Sequence, residues 1–307
     1  MSQAATIVEL ARADWRDWVE LSKPRVMTLV VFTGLVGLLV APGHISPVLG
    51  LAAILAIAMG SGGAGAINMW YDRDIDALMR RTERRPVPTG KIAAPDALGF
   101  GILLSGGAVM LMGLATNWMA GFTLAVSVAF YVGVYTMWLK RRTPMNIVIG
   151  GAAGAFPPVI GWAAVTGSVT LLPILMFAIT FFWTPPHFWS LALYAEIDYE
   201  RAGVPMLPVV QGFRETRKQI LIYTLLLLPL SLVPALLHLT GWFYAVVALA
   251  LGLGFIYYAV MVYRDQADAS GASAQNDRPA RKAFRYSLIY LAVLYLAFAV
   301  DAWIRRA

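Results

Sequence analysis

The sequence contains no cysteine, and charged residues make up only 13% of its 307 positions. Without cysteine the chain can form no disulfide, no thiolate nucleophile and no thiolate metal site. Scarce charge, 59% hydrophobic residues and a mean hydropathy of +0.68 lie far outside the composition of soluble globular proteins. A soluble domain is therefore excluded, and an integral membrane protein is indicated.

Apolar runs recur along the whole chain, and each is long enough to cross a hydrocarbon core of about 30 Å. We expect helices, because a helix satisfies its backbone hydrogen bonds internally and no run alternates like a membrane barrel strand. The predicted fold class is an all-α polytopic membrane protein, a single integral domain over residues 1–307. It has about nine transmembrane helices around a central cavity that opens to the cytoplasm. The runs are 26–42, 47–69, 96–115, 118–138, 146–165, 172–194, 219–238, 242–262 and 285–303.

Positive charge alternates between the loops and predicts the orientation. All but two of the 24 Lys and Arg residues fall in the N-terminal segment and in every second loop; the exceptions are Arg305 and Arg306. The positive-inside rule places those loops and the N-terminus in the cytoplasm and the C-terminus outside. The net charge of +7 is then topological and predicts no nucleic acid partner. Residues 1–25 should form a cytoplasmic interfacial segment, and residues 264–284 a flexible cytoplasmic loop.

Asn68, Asp72 and Asp76 recur at every fourth residue where an apolar run ends. This spacing places their side chains on one face of a helix, with Asp74 pointing away from it. Amide and carboxylate oxygens, without histidine or cysteine, are the ligands that Mg²⁺ prefers. The alternative is a helix end whose acids face solvent or neighbouring arginines. We predict a magnesium site in which Asp72 and Asp76 are also catalytic.

A second acidic segment, residues 190–208, is predicted on the same side of the membrane. Asp198 shares a helix face with Tyr194, and Glu200 lies close to it. Two carboxylate groups that hold one phosphorylated substrate through bridging metal ions are a recurrent arrangement. We predict Asp198 as a catalytic metal ligand and Glu200 as a further ligand, whereas the alternative is an acidic helix end balanced by Arg201.

Cations are concentrated beside both acidic segments. The stretch RRTERRPVPTGK, residues 80–91, follows the first segment directly. Arginine is the usual partner of phosphate oxygens, and lysine is a point charge for them. The positive-inside rule explains cations in such a loop, though not their concentration next to a row of carboxylates. The candidate diphosphate ligands are Arg84, Arg85, Lys91, Lys140, Arg141 and Arg201.

An aromatic segment, residues 181–193, places His187 directly after Pro185–Pro186. Prolines inside a helix should kink or break it and leave carbonyls open to a cavity. The pair Pro157–Pro158 should break another helix in the same way. A lone histidine in apolar surroundings is either a satisfied hydrogen-bonding group or a group that positions a substrate.

Blocks over nearly the whole chain resemble the UbiA-type intramembrane aromatic prenyltransferase superfamily, and within it the branch that modifies heme. Asn68, Asp72 and Asp76 match the superfamily's N-x-x-x-D-x-x-x-D motif. The second motif, commonly D-x-x-x-D, is half matched, because Ala202 stands four residues after Asp198. The blocks are SKPRVMTLVVFTGLVG (22–37), NMWYDRDIDALMRRTERRPVPTGK (68–91), TPMNIVIGGAAGAFPPVIGW (143–162), TPPHFWSLALY (184–194) and DYERAGVPMLPVV (198–210).

The resemblance implies farnesyl diphosphate and heme B as substrates, heme O and diphosphate as products, and Mg²⁺ as the cofactor. It also implies the bacterial inner membrane as the location and allows a downstream heme O-modifying enzyme as a partner. The heme, positioned or ligated through its iron, would meet residues of the PHFW block, and cations at the start of the first helix could meet diphosphate or the heme propionates. These candidates are His187, Trp189, Tyr194, Lys23 and Arg25.

Two alternatives remain at the level of sequence. A relative with a phenolic or quinone-precursor acceptor would share every metal residue and differ around His187. A membrane transporter would also carry intramembrane acids and broken helices, but it should place polar groups near the bilayer midplane and reach both faces. The ionisable residues of this chain gather on one side, which favours an enzyme.

Overall fold

The computed structural model describes residues 13–268 and 271–307, and helices joined by short loops make up most of this part of the chain. Of the predicted interfacial segment 1–25, residues 1–12 lie outside the described residues. The described part contains a short helix capped by Asp14, whose carboxylate accepts a hydrogen bond from the Trp15 backbone N–H at 2.6 Å. A bend of 55° separates this helix from the next.

The described residues form thirteen α-helices and one π-helix. Eight segments are long and apolar enough to cross a membrane, or nine if the bent pair α1–α2 counts as one span. The predicted all-α, multi-pass membrane fold is therefore confirmed. In chain order the elements are α1 (Trp15–Leu21), α2 (Pro24–Val40), α3 (Pro47–Tyr71), α4 (Arg73–Asp76), α5 (Ala94–Ala115), α6 (Trp118–Ala129), the π-helix (Phe130–Leu139), α7 (Asn146–Ala155), α8 (Pro157–Thr166), α9 (Leu171–Tyr194), α10 (Glu196–Arg201), α11 (Leu207–Leu236), α12 (Trp242–Tyr263) and α13 (Arg278–Ile304).

Two helices begin well before their apolar runs. α11 begins at Leu207 and includes one non-helical residue, Gly212, with φ of 79°. α13 begins at Arg278 with Pro279 in its first turn, so the last part of the predicted loop 264–284 is helical. Both added stretches contain several charged residues, and hydropathy detects only the part of a helix that lies in hydrocarbon.

The two proline pairs behave differently. Pro157–Pro158 separates α7 from α8, as predicted. The expected break at Pro185–Pro186 is wrong, because α9 is a continuous helix through both residues. The fixed φ of proline is itself a helical value, and α9 packs against α7, α11 and α13 along its length. Tertiary packing therefore holds the helix although two backbone donors are missing.

Glycines allow the helices to approach closely. α2 packs on α8, and a Cβ atom at Gly37 would lie 2.1 Å from the Pro158 carbonyl oxygen. Any side chain there would separate the two helices, which is why small residues are favoured at contacts between membrane helices.

The two ends of the bundle differ in chemistry. We call the end that carries Asn68 and Asp72 the acidic end. The C-terminus lies at the opposite end, where Arg306 donates hydrogen bonds to the carbonyls of Val40 and Ala41 at 2.9 and 2.7 Å. At the acidic end, where the central cavity is expected, charged side chains contact one another.

Candidate active site

The row of Asn68, Asp72 and Asp76 lies where α3 ends and α4 begins. The backbone N–H groups of Asp72 and Asp76 donate to the carbonyls four residues earlier, at 2.9 and 2.8 Å, so helical geometry continues through the junction. The three residues are 3%, 0% and 2% exposed, whereas the side chain of Asp74 is 61% exposed. The row therefore points into the protein, and its acids face neighbouring side chains and not solvent.

Hydrogen bonds within the row fix the orientation of Asn68. Its Nδ2 donates to Asp72 Oδ2 at 2.8 Å and to Thr136 Oγ1 at 3.0 Å. Its Oδ1 accepts from the ammonium of Lys23, which stands at the bend between α1 and α2 with a left-handed φ of 53°. Thr136 belongs to the π-helix. Its hydrogen bond to Asn68 was not predicted from the sequence.

A cation neutralises each carboxylate of the row. Lys140 donates to Asp72 Oδ2, and Arg85 donates to Asp76 Oδ2 at 2.6 Å. Their side chains are only 15% and 21% exposed, so both pairs are shielded from bulk water. Shielded pairs of this kind interact far more strongly than surface ion pairs.

Arg141 joins the row from its outer edge. It donates to both carboxylate oxygens of Asp74 at 2.7 Å each and contacts Asp72 Oδ1 at 3.4 Å. Its guanidinium also lies over the ring of Tyr71, 4.8 Å from the centroid. The hydrogen bonds from Arg141 hold the pKa of Asp74 below its ordinary value, so this pair remains charged at neutral pH.

The other predicted cations lie away from the row. Lys91 donates to Asp17 Oδ1 at 2.9 Å and so ties its loop to α1. Arg84 has a 93% exposed side chain, and Arg25 and Arg201 are exposed as well. Of the predicted diphosphate ligands, the structure brings to the row Arg85, Lys140 and Arg141.

The second acidic segment forms α10 and packs beside the first. Tyr199 and Ala202 share one apolar cluster with Ile75 and Met79, so both segments lie at the acidic end. Arg81 bridges them, donating to Tyr199 Oη at 3.5 Å.

The carboxylates of this second segment stand apart from the row. Asp198 is half-buried and Glu200 is exposed, and neither is hydrogen-bonded to the row. Within residues 13–268 and 271–307, no three histidine or acidic side chains are grouped closely enough to hold a metal ion. The predicted convergence therefore holds for the segments, and the role of their carboxylates stays a prediction.

The donor atoms of the row fit Mg²⁺ by their chemistry. Asn68 Oδ1 and the oxygens of Asp72 and Asp76 are hard ligands of the kind this ion takes. Ammonium and guanidinium groups contact the same oxygens in this structure. Cations are thus already favoured at this position, and a divalent ion would share or take over those contacts.

His187 is held in an aromatic sandwich on α9. Its ring stacks between Trp183, at 4.3 Å, and Phe284 of α13, at 4.6 Å. Ser287 Oγ donates its single proton to the Phe284 carbonyl at 2.7 Å. It must therefore accept the hydrogen bond from His187 Nδ1, also 2.7 Å long. Nδ1 carries the proton, and the lone pair of Nε2 is left for a ligand.

The two remaining candidate residues for binding the acceptor substrate differ in exposure. Trp189 is 1% exposed and packs edge-on against Tyr223 within an apolar cluster, so it offers no free surface. Tyr194 is half-buried and lies edge-on to Phe284 at 6.2 Å. Phe284 and Ser287 were not predicted to contact His187, because they lie on α13, about a hundred residues further along the chain.

Gly150 permits the contact that positions the π-helix. A Cβ atom there would lie 2.2 Å from a ring carbon of Tyr135, the neighbour of Thr136. Gly150→Ala should push the π-helix away from the row and lower the turnover rate by about tenfold to a hundredfold. The measurement is the initial rate of the reaction that the resemblance implies, the transfer of a prenyl group. Gly154→Ala, one turn further along α7 with no atom within 4 Å of its Cβ, is the matched control and should leave the rate unchanged.

A buried row of oxygen ligands and cations, at one end of an all-α membrane bundle, has the composition of an intramembrane site for a phosphorylated substrate. Residues 30–289 match the model of the UbiA prenyltransferase family. The chain therefore belongs to this family, and the resemblance seen in its motifs is confirmed.

Similar proteins agree with this assignment, and solved structures share the fold. A protein from Granulibacter bethesdensis named protoheme IX farnesyltransferase is 62% identical over 94% of this chain and 91% of its own length. One of the same name from Acidiphilium cryptum is 61% identical over 93% and 90%. A structure of digeranylgeranylglyceryl phosphate synthase has a TM-score of 0.74 at 20% identity and covers 94% of this chain and 98% of its own. A UbiA homolog from Archaeoglobus fulgidus, bound to GPP and Mg²⁺, has a TM-score of 0.63 at 16% identity over 92% and 99%.

Proposed function

We propose that this prenyltransferase moves the farnesyl group of farnesyl diphosphate to the 2-vinyl group of heme B and so produces heme O. The observation that carries the proposal is the buried row of Asn68, Asp72 and Asp76, neutralised by lysine and arginine at one end of a membrane bundle. The name that its relatives share, protoheme IX farnesyltransferase, supports the choice of both substrates.

Asn68, Asp72 and Asp76 are the residues that would hold Mg²⁺, with Asp198 and Glu200 as the proposed second set. When bound, the metal would supply positive charge to the diphosphate as it leaves. Asp198 lies on a segment that already packs against the first one, which supports its choice as a ligand from the second segment. Ala202 cannot ligate a metal, which leaves Glu200 as the candidate for the remaining position.

The cations of the row have a direct role in this reaction. Lys140 and Arg85 are fixed by their carboxylates and present further N–H groups to diphosphate oxygens. Arg141 can do the same from the edge of the row. Donors that are already oriented before the reaction stabilise developing negative charge without a cost of reorganisation.

The chemistry then proceeds in the apolar interior. The bond from the first farnesyl carbon to oxygen breaks, and its electron pair leaves with diphosphate. The vinyl π electrons of heme form the new carbon–carbon bond with the allylic cation. Water adds to the resulting heme cation and loses a proton, which gives the hydroxyl group. The aromatic rings of α9 and the π-helix exclude water until that last step.

The acceptor would lie against α9 and α13. The unprotonated Nε2 of His187, held in place by Ser287, is a suitable ligand for the iron of the heme. Tyr194 and Phe284 offer aromatic faces and edges beside it. This arrangement supports a planar, iron-containing acceptor over a small phenol.

We also propose that the acidic end faces the cytoplasm of a bacterial inner membrane, with the N-terminus inside and the C-terminus outside. The distribution of lysine and arginine supports this orientation, and Arg306 lies at the end opposite Lys23. Farnesyl diphosphate would then reach the site from the cytoplasm. Heme O, which carries a farnesyl tail beside its two propionates, would leave through the bilayer or pass to a downstream heme O-modifying enzyme.

Mass spectrometry of heme tests the proposal. Membranes that contain the chain, supplied with heme B and farnesyl diphosphate, should accumulate heme O when Mg²⁺ is present and lose this activity when the metal is chelated. Membranes without the chain are the control. If 4-hydroxybenzoate is prenylated and heme B is not, the chain is a relative that acts on a phenolic acceptor.

A transporter is the remaining alternative from another class. It would need ionisable groups along a path between the two faces. Asp72, Asp76, Lys140 and Arg85 instead cluster at one end of the described bundle, which opposes that reading.

A further inference from the structure

Four cations lie on the first turns of α13, outside the row already described. Three of them lie three, four and seven residues after the first, which places all four on one side of the helix. Within the described residues none of them forms an ion pair with a carboxylate, and all are exposed. These cations are Arg278, Arg281, Lys282 and Arg285.

Arg281 is connected to His187 through two aromatic rings. Its guanidinium lies over the ring of Tyr194, 4.3 Å from the centroid. Tyr194 meets the ring of Phe284 edge-on at 6.2 Å, and Phe284 stacks on His187 at 4.6 Å. Arg285, next to Phe284 in sequence, also lies within electrostatic range of Tyr194.

The spacing along α13 matches the dimensions of a porphyrin. At a rise of 1.5 Å per residue, Arg281 lies about 9 Å along the axis from Ser287, which fixes His187. This is comparable with the reach from the iron of a heme to the carboxylates of its propionates. The cations stand at the membrane surface, whereas His187 is 7% exposed and lies deeper.

We propose that Arg281 and Arg285 bind the propionate groups of heme, while the porphyrin lies along Tyr194 and Phe284 toward His187. The inference rests on the proposed function and specifies which end of the heme faces the water. Because the two propionates are on the side of the porphyrin away from its vinyl groups, the vinyl edge would enter the bundle toward the row.

This arrangement replaces the assignment of the propionates to the first helix. Lys23 is already bonded to Asn68 Oδ1 in the row, and Arg25 is exposed at the start of α2. The positive-inside rule explains why cations lie on this side of the membrane. It does not explain why the guanidinium of Arg281 lies over Tyr194, whose ring contacts Phe284, which in turn stacks on the buried His187.

The proposal is tested by comparing the binding of two ligands to the unchanged protein and to a double variant. The full-length protein in lipid nanodiscs is titrated with heme B and with heme dimethyl ester, whose propionates carry no charge, and the Soret band is followed. Arg281→Gln combined with Arg285→Gln should weaken the binding of heme B by about tenfold to a hundredfold. The same variant should bind the dimethyl ester as the unchanged protein does, which also shows that it is folded.

Arg214→Gln combined with Arg264→Gln is the matched control. It removes two exposed positive charges from α11 and from the end of α12, and it should bind heme B normally. Equal weakening in both double variants, equal weakening for both ligands, or no weakening would overturn the proposal. If the unchanged protein binds no heme at all, the proposed function is wrong as well. Heme binding without discrimination between the ligands overturns only the propionate assignment.

Discussion

Asp72→Asn should abolish farnesyl transfer, with a loss in turnover rate of at least about a thousandfold. Asp72 is fully buried and contacts Asn68, Lys140 and Arg141, so it is the centre of the row. An amide keeps the shape but removes the charge that orders these cations and would attract Mg²⁺. The measurement is the initial rate of heme O formation at saturating concentrations of both substrates.

Two further variants separate lost chemistry from lost folding. Asp74→Asn makes the same chemical change two residues away, on an exposed side chain, and should keep most of the activity. Asp72→Asn leaves Lys140 without its carboxylate, and breaking a buried pair costs about 3–5 kcal/mol of stability. Adding Lys140→Met should restore part of the thermal stability without restoring activity. Comparable rates for Asp72→Asn and Asp74→Asn would contradict the metal site.

His187→Ala should weaken heme binding strongly, by about a hundredfold, because the bond from Nε2 to the heme iron is lost. The affinity for farnesyl diphosphate should stay unchanged, because His187 stacks with Trp183 and Phe284 and has no contact with the row. Heme binding by absorbance and farnesyl diphosphate binding by calorimetry measure the two effects separately.

Removing a stacked ring also leaves a cavity, so a second substitution is needed. His187→Phe keeps the sandwich and removes both nitrogens, and it should lose heme binding while retaining the thermal stability that His187→Ala loses. Ser287→Ala should have a smaller effect, since it frees the tautomer of His187 without removing the ring. His238→Ala, at the opposite end of the bundle, should have none. An equal loss of both substrates in His187→Phe would show that this histidine is structural.

Local patterns predicted most of the fold. Hydropathy located the membrane helices because each must satisfy its own backbone in hydrocarbon. It failed where helices extend into polar surroundings, as at Leu207 and Arg278. The helix-breaking preference of proline was the wrong guide at Pro185–Pro186, where packing keeps α9 continuous.

The sequence by itself determined the acidic row, because a spacing of four residues places side chains on one face of a helix wherever that helix lies. Only the tertiary structure decided which cations meet the row. Lys140 and Arg85 contact the row, whereas Lys91 contacts Asp17. The sequence does not distinguish one loop cation from another, because their partners are set only when the helices pack. The tertiary structure also brought Ser287 and Phe284 to His187 and joined the π-helix to Asn68. These contacts connect residues 68 to 100 positions apart, and no local pattern specifies such a pairing, because it depends on how α9 packs on α13 and how α3 meets the π-helix.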